Sequence, residues 1–139
     1  MTFDLGRFVD AQDSVHDRVL AELAAGRKAS HWMWFVFPQI AGLGTSAMSQ
    51  LYAVASLDEA RAYLAHPVLG PRLRQCTRLV LAAAPRTATA IFGSVDAAKL
   101  RSSMTLFDRA EPGSGLFDAV LAAFFDGEPD PLTLDRLAR

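Results

Sequence analysis

Apolar residues at the start of the chain recur at helical spacing. Leu5, Phe8, Val9, Val15, Val19, Leu20 and Leu23 share one arc of a helical wheel. The pattern predicts a helix over residues 4–25, closed by Gly26, which readily takes the left-handed conformation of a C-terminal cap. The next segment, SHWMWFVFPQ, is an apolar and aromatic run too short for periodicity to separate helix from buried strand. No partner strand is evident elsewhere in the chain. A short helix capped by Ser30 and ending before Pro38 is therefore the expectation.

Further along, a short helix is expected near residues 46–54. Ser56 and Glu59 have capping-box spacing and open a helix that Pro67 ends. Pro71 suits the first turn of a helix running to about Ala84, and a short piece over 88–92 closes on Gly93. Ser94 or Asp96 starts a helix to about Ala110, broken by Pro112-Gly113. Residues 116–125 read as helix up to Gly127, and Asp130-Pro131 opens the last one. Connections are short and no alternating run suggests a hairpin. The pattern predicts an all-α fold: a compact single-domain bundle of about seven to nine short helices over residues 1–139, without a sheet. Phe8, Val15, Trp34, Phe37, Leu100 and Phe107 should meet in one core.

Two segments, 28–46 and 99–107, place polar side chains where plain core packing would not. In the first helix, Gln12 and His16 also lie near the centre of the apolar arc. A buried amide needs partners, since an unpaired polar group costs roughly 1–3 kcal/mol. Gln12 is either a satisfied core residue or part of a pocket floor. Trp32 and Trp34 bring large apolar area and indole N–H groups that need acceptors; they are core, or rings on which a ligand stacks. His31 could serve as an acid or base. Arg27 and Lys28 follow a helix end and complement its dipole without any ligand.

The loop Gly42-Leu43-Gly44-Thr45-Ser46 could bring backbone N–H groups to an anion, with Gln39 just before it. It lacks the lysine and spacing of a P-loop, and a glycine turn with a serine cap explains it equally well. In KLRSSMTLF, Leu100, Met104, Leu106 and Phe107 define an apolar arc that contains Lys99 and Ser103, with Ser102 at its border. A lysine there must snorkel, find an anion or lose its charge, whereas Ser103 could bond back to the Lys99 carbonyl. Gln12, His31, Gln39, Gly44, Lys99 and Ser103 are expected to border one concave site.

Composition narrows the classes. Of 139 residues, 51% are hydrophobic and 21% charged, an ordinary balance for a folded chain. A formal net charge of −1 supplies no field to recruit nucleic acid or anionic lipid. The lone Cys76 cannot form an internal disulfide, which suits a reducing cytoplasm. The opening MTFDLGRFVDAQD does not read as a secretory signal, and no run of about 18 apolar residues is present to span a membrane. The histidines His16, His31 and His66 have no metal spacing, no G-x-S-x-G elbow occurs, and no cofactor is implied.

The blocks FDLGRFVDAQ, AGRKASHWMWFVFPQIAGLG, SLDEARAYLAHPVLGPRLR and KLRSSMTLF resemble a family of short bacterial proteins of unknown function that often carry the label calpastatin. The resemblance covers nearly the whole chain and implies an all-helical fold. His16 stands where that family usually has a tyrosine, so no role for a phenol transfers. The label would imply a protease inhibitor, but calpastatin acts through disordered repeats and this chain is apolar and repeat-free. A looser similarity, of fold type alone, is to helical proteins linked to NAD and ADP-ribose metabolism. It suggests a domain that binds or hydrolyses a small phosphate-bearing nucleotide or ADP-ribose-like ligand. Gln12, Trp32, Gln39, Gly42, Gly44, Lys99, Ser102 and Ser103 would then bind, and His31 and Lys99 would be the best catalytic candidates. The alternative is a non-enzymatic interaction domain whose polar groups tie loops to the core.

Overall fold

The computed structural model describes residues 3–139. Among them the chain forms ten helices: α1 (Gly6–Asp13), α2 (His16–Ala24), α3 (Met33–Val36), α4 (Ala47–Leu51), α5 (Leu57–Ala65), α6 (Leu69–Ala82), α7 (Ala88–Phe92), α8 (Ser94–Ala110), α9 (Phe117–Phe124) and α10 (Pro131–Leu137). The run expected as one helix over 4–25 is two. Val15 leaves helical geometry (φ −123°, ψ −3°), so α1 packs on α3 while α2 packs on α6. The wheel survives the break, because Phe8, Gln12, Val19 and Leu23 are all buried.

The aromatic run over residues 32–37 forms α3 and its flanks, not a strand. Extended pairing among the described residues amounts to one isolated parallel bridge, Ile40 with Val54. There the Ala41 N–H donates to the Val54 carbonyl and the Val54 N–H to the Gln39 carbonyl, each at 2.8 Å. That bridge ties the glycine loop to the segment before α5. At the start of α5, Ser56 Oγ accepts from the Glu59 N–H (3.1 Å) and the Glu59 carboxylate accepts from the Ala55 N–H (2.7 Å). The capping box is thus made, its second bond displaced by one residue. The α5–α6 corner is so tight that a Cβ on Gly70 would meet the Leu64 carbonyl oxygen at 2.2 Å.

The longest helix, α8, is the hub: α5, α7, α9 and α10 all pack on it. Through the core runs a file of rings. Phe8 meets Tyr63 edge-on at 5.1 Å, Tyr63 meets Phe107 at 5.3 Å, and Phe107 meets Phe117 at 5.9 Å. Such tilted and edge contacts suit the ring quadrupole and add to the apolar burial. Phe8, Phe37, Leu100 and Phe107 lie in this core as expected, whereas Val15 and Trp34 sit at its margin, partly exposed. Among the described residues no helix is long and apolar enough to cross a membrane.

Gln12 is the polar pin of the core. Its Nε2 donates to the Phe35 carbonyl (2.6 Å) and to the Tyr63 hydroxyl oxygen (3.0 Å), joining α1, α3 and α5. Replacing it by leucine leaves two buried acceptors unpaired, so urea unfolding of Gln12→Leu should show a loss of roughly 1–3 kcal/mol. A change within about 0.5 kcal/mol, typical of an indifferent surface position, would mean that the pin carries no stability.

Candidate functional site

The first polar segment is built around Glu22. One carboxylate oxygen accepts from the N–H groups of Ala29 (2.6 Å) and Ser30 (2.9 Å) and from the Trp32 indole (3.0 Å), the other from Ser30 Oγ (2.6 Å). Burial alone would raise this carboxyl, but those hydrogen bonds outweigh it and bring the group down to about 2. Trp32 is 1% exposed, so its ring belongs to the core and is closed to a stacking ligand. Lys28 finishes the knot: Nζ donates to the Ser30 carbonyl (2.6 Å) and pairs with Asp96 (2.9 Å), while its N–H bonds the Ile91 carbonyl. His31 is exposed on the turn before α3.

Lys99 reaches the same carboxylate. Its Nζ is 3.6 Å from Asp96 and lies over the Trp34 ring, 5.3 Å from the centroid. The lysine on an apolar arc therefore snorkels along an aromatic face to a shared anion. Ser103 is fully buried, and its Oγ has no hydrogen-bond partner among the described residues; a back-bond to the Lys99 carbonyl, one of the two readings of this serine, is not made.

Ser102 has a different task. Its hydroxyl donates to the Asp130 carboxylate (3.0 Å), with the Ala98 carbonyl at 3.2 Å. The same Asp130 oxygen accepts from the Thr133 N–H (3.0 Å) and hydroxyl (2.6 Å), capping α10. Thr105 accepts the Asp130 N–H (2.9 Å), and Arg101 donates to the Glu128 and Pro129 carbonyls, each at 3.0 Å. One stripe of α8 thus clamps α10 in place. From α10, Arg136 reaches the glycine loop and donates to the Gly42 carbonyl at 3.2 Å. Gly42 has φ +97°, and a Cβ there would lie 2.6 Å from Arg136 Cζ, so only glycine lets the guanidinium lie against the loop.

Between that loop and α10 runs a groove of three adjoining cavities. The first, about 330 Å³, is lined by Gln39, Ile40, Ala41, Gly42, Gly44, Ser49, Gln50 and Ala53. The second, about 350 Å³, shares Ile40 and Ala41 with it and adds Ser56, Leu57, Arg136, Leu137 and Arg139. The third, about 480 Å³, shares Leu57 and Leu137 with the second and adds Arg109, Pro112, Leu134 and Ala138. Among the described residues, the ionisable side chains lining the three are arginines alone. The start of α4 is closed within itself, since Ser46 Oγ accepts from the Ser49 N–H (3.1 Å).

The expected site residues are therefore dispersed. Gln39, Gly42 and Gly44 line the groove. Gln12 borders a separate enclosed cavity with His16, Arg72 and Cys76, about 10 Å³ in size, room for a single water. Burial, then the nearby Arg72, push His16 below its ordinary value, while Asp17 and Asp13 pull the other way. Burial pushes the Cys76 thiol up to about 12, so it is inert. Lys99 and His31 line none of these cavities. Arg109, Arg136 and Arg139 were invisible as site residues because cations in a last helical turn read as partners of the helix dipole.

The conspicuous blocks of sequence have their counterpart among known proteins. A model of a family of proteins of unknown function, DUF1810, matches residues 2–137. The chain belongs to the DUF1810 family. The DUF1810 chain also overlays the crystal structure of the conserved hypothetical protein Rv1873 from Mycobacterium tuberculosis, determined at 1.38 Å, with a TM-score of 0.96 and 52% identity over 99% of this chain and 98% of that one. No curated protein matches it. Neither description refers to calpastatin.

Glu22 makes the knot of this DUF1810 chain testable by pH. Its folded value, about 2, lies below the ordinary 4.5. A lowered value means stability that is complete above the ordinary range and is lost as pH falls toward the folded one. The gap in unfolding free energy between the natural protein and Glu22→Gln should be widest near neutrality and close as pH falls from 4.5 to 2. A gap independent of pH would show that the carboxylate charge does not hold the loop.

Proposed function

We propose that this domain binds a small phosphate-bearing ligand, of the nucleotide or ADP-ribose kind, in the groove between the glycine loop and α10. The observation that carries this reading is the charge of the lining: Arg109, Arg136 and Arg139 contribute cations and no acidic side chain lines the three cavities, in a chain with 15 acidic residues and a net charge of −1. A guanidinium is a planar fork that suits phosphate oxygens and holds its charge at any physiological pH. Arg136 gives one N–H to Gly42 and keeps others for a ligand. Arg139 pairs with Asp135 at 2.9 Å, but both are more than half exposed, and such a pair yields readily to a phosphate. Gln39, Ser49 and Gln50 offer uncharged hydrogen-bonding groups at one end, as a sugar or base requires.

The reading is one of binding. Arginines do not exchange protons near neutral pH, so the lining supplies charge and hydrogen bonds but no acid or base, and hydrolysis is not part of it. His31 and Lys99, the expected catalytic pair, lie with the Glu22–Asp96 knot. The exposed large apolar side chains Leu51, Val95 and Leu132 come from α4, α8 and α10 and give the alternative of a protein-docking domain little support. A reducing cytoplasm, in which Cys76 stays a thiol, fits the same reading.

The test is an amide-resolved NMR titration with AMP and with ADP-ribose. Shifts should concentrate in residues 39–57 and 134–139. Arg139→Ala, an exposed position, should weaken binding by about tenfold or more, the equivalent of one charge-assisted hydrogen bond. Shifts centred on His31 and Lys99, or none at millimolar ligand, would overturn the assignment.

A further inference from the structure

The order of the three cavities restricts the ligand more than their charge does. Ile40 and Ala41 join the uncharged polar cavity to the middle one, and Leu57 and Leu137 join the middle one to the third. The sequence along the groove is thus hydrogen-bonding, then cationic, then largely apolar. Arg136 and Arg139 line the middle, with space on both sides. A phosphate monoester has a substituent on one side only. It would fill the anionic position and one neighbour and leave the other wet.

Resting on the binding reading above, we infer that the ligand is a bridged phosphate, a phosphodiester or pyrophosphate conjugate. It carries an uncharged polar group toward Gln39 and Gln50 and an apolar group against Leu57, Pro112 and Leu134. Two substituents on one anionic centre are what place a negative charge in the middle of an extended ligand. The third cavity is the largest of the three, about 480 Å³, and its lining is aliphatic apart from Arg109. A ring or short acyl chain entering it buries apolar surface on both partners, a gain that a monoester forgoes. Arg109 stands at this end for a further acceptor on the apolar group.

A pair of probes differing only in the second substituent reads this out: thymidine 5′-monophosphate and its p-nitrophenyl ester. The ester has lost negative charge, so arginines alone would favour the monoester. Burial of the nitrophenyl ring should reverse that order and make the ester bind tighter by about tenfold or more. Leu134→Gln, at a half-buried position, should remove most of the ester's advantage while weakening the monoester far less. Pro112→Ala, at an exposed position, should reduce it in the same sense and guards against misfolding of the first variant. If the monoester binds as tightly as the ester, or Leu134→Gln weakens both equally, the bridged-ligand inference is wrong while anion binding stands. If neither probe binds, both are wrong.

Discussion

Short helices impose a constraint that shapes this molecule throughout. Every helix end leaves backbone N–H or C=O groups without intrahelical partners, and burying them unpaired is costly. The ten helices among the described residues, several only one turn long, have many such ends in or near the core. Side chains satisfy them. In the loop between α2 and α3, Glu22 likewise collects the free N–H groups of residues 29 and 30, and Arg7 donates to the carbonyls of Leu51 (2.9 Å) and Ala53 (2.8 Å) at the end of α4. Arg74 donates to Leu64 (3.2 Å) at the end of α5, and Arg101 and Thr105 serve the chain entering α10. The polar residues on the apolar faces largely answer this constraint.

The same constraint builds the groove. Asp130 stands where three demands meet: the free N–H of α10, the Thr133 hydroxyl and the buried Ser102 hydroxyl on α8. Its start is fixed there, and α10 lays Arg136 on Gly42 and lines the groove with Arg139, Leu134 and Leu137. Ser102 and Thr105, outside the groove lining, thus anchor the start of the helix that brings Arg136 and Arg139 to it.

Fold class was legible because amphipathic spacing, capping residues and prolines act locally. The Ser56–Glu59 box and the Asp130-Pro131 start formed where the pattern put them. The break at Val15 was not legible, since the wheel continues across it. Legibility of the site was poorer for a physical reason. Lys99, Ser102 and Gln12 stand out in the sequence because a polar residue on an apolar face needs a partner, but the pattern cannot say whether the partner is a ligand or the chain itself. Gln12 found Phe35 and Tyr63, Ser102 found Asp130, and Lys99 found Asp96 and Trp34. Conversely Arg136 and Arg139 sit on a helix end where cations are ordinary, and only tertiary packing brings them to Gly42 and the groove.

Side chains that fasten helix ends, Asp130 foremost, set the geometry of the groove, and native-state hydrogen exchange of Asp130→Ala shows whether they do. Amide protection should collapse over residues 133–138 while the amides of α8 within 100–107 keep theirs, because α10 is released and the ring-filled core is untouched. Unchanged protection over α10 would contradict it, since the helix would then be held by its apolar contacts alone.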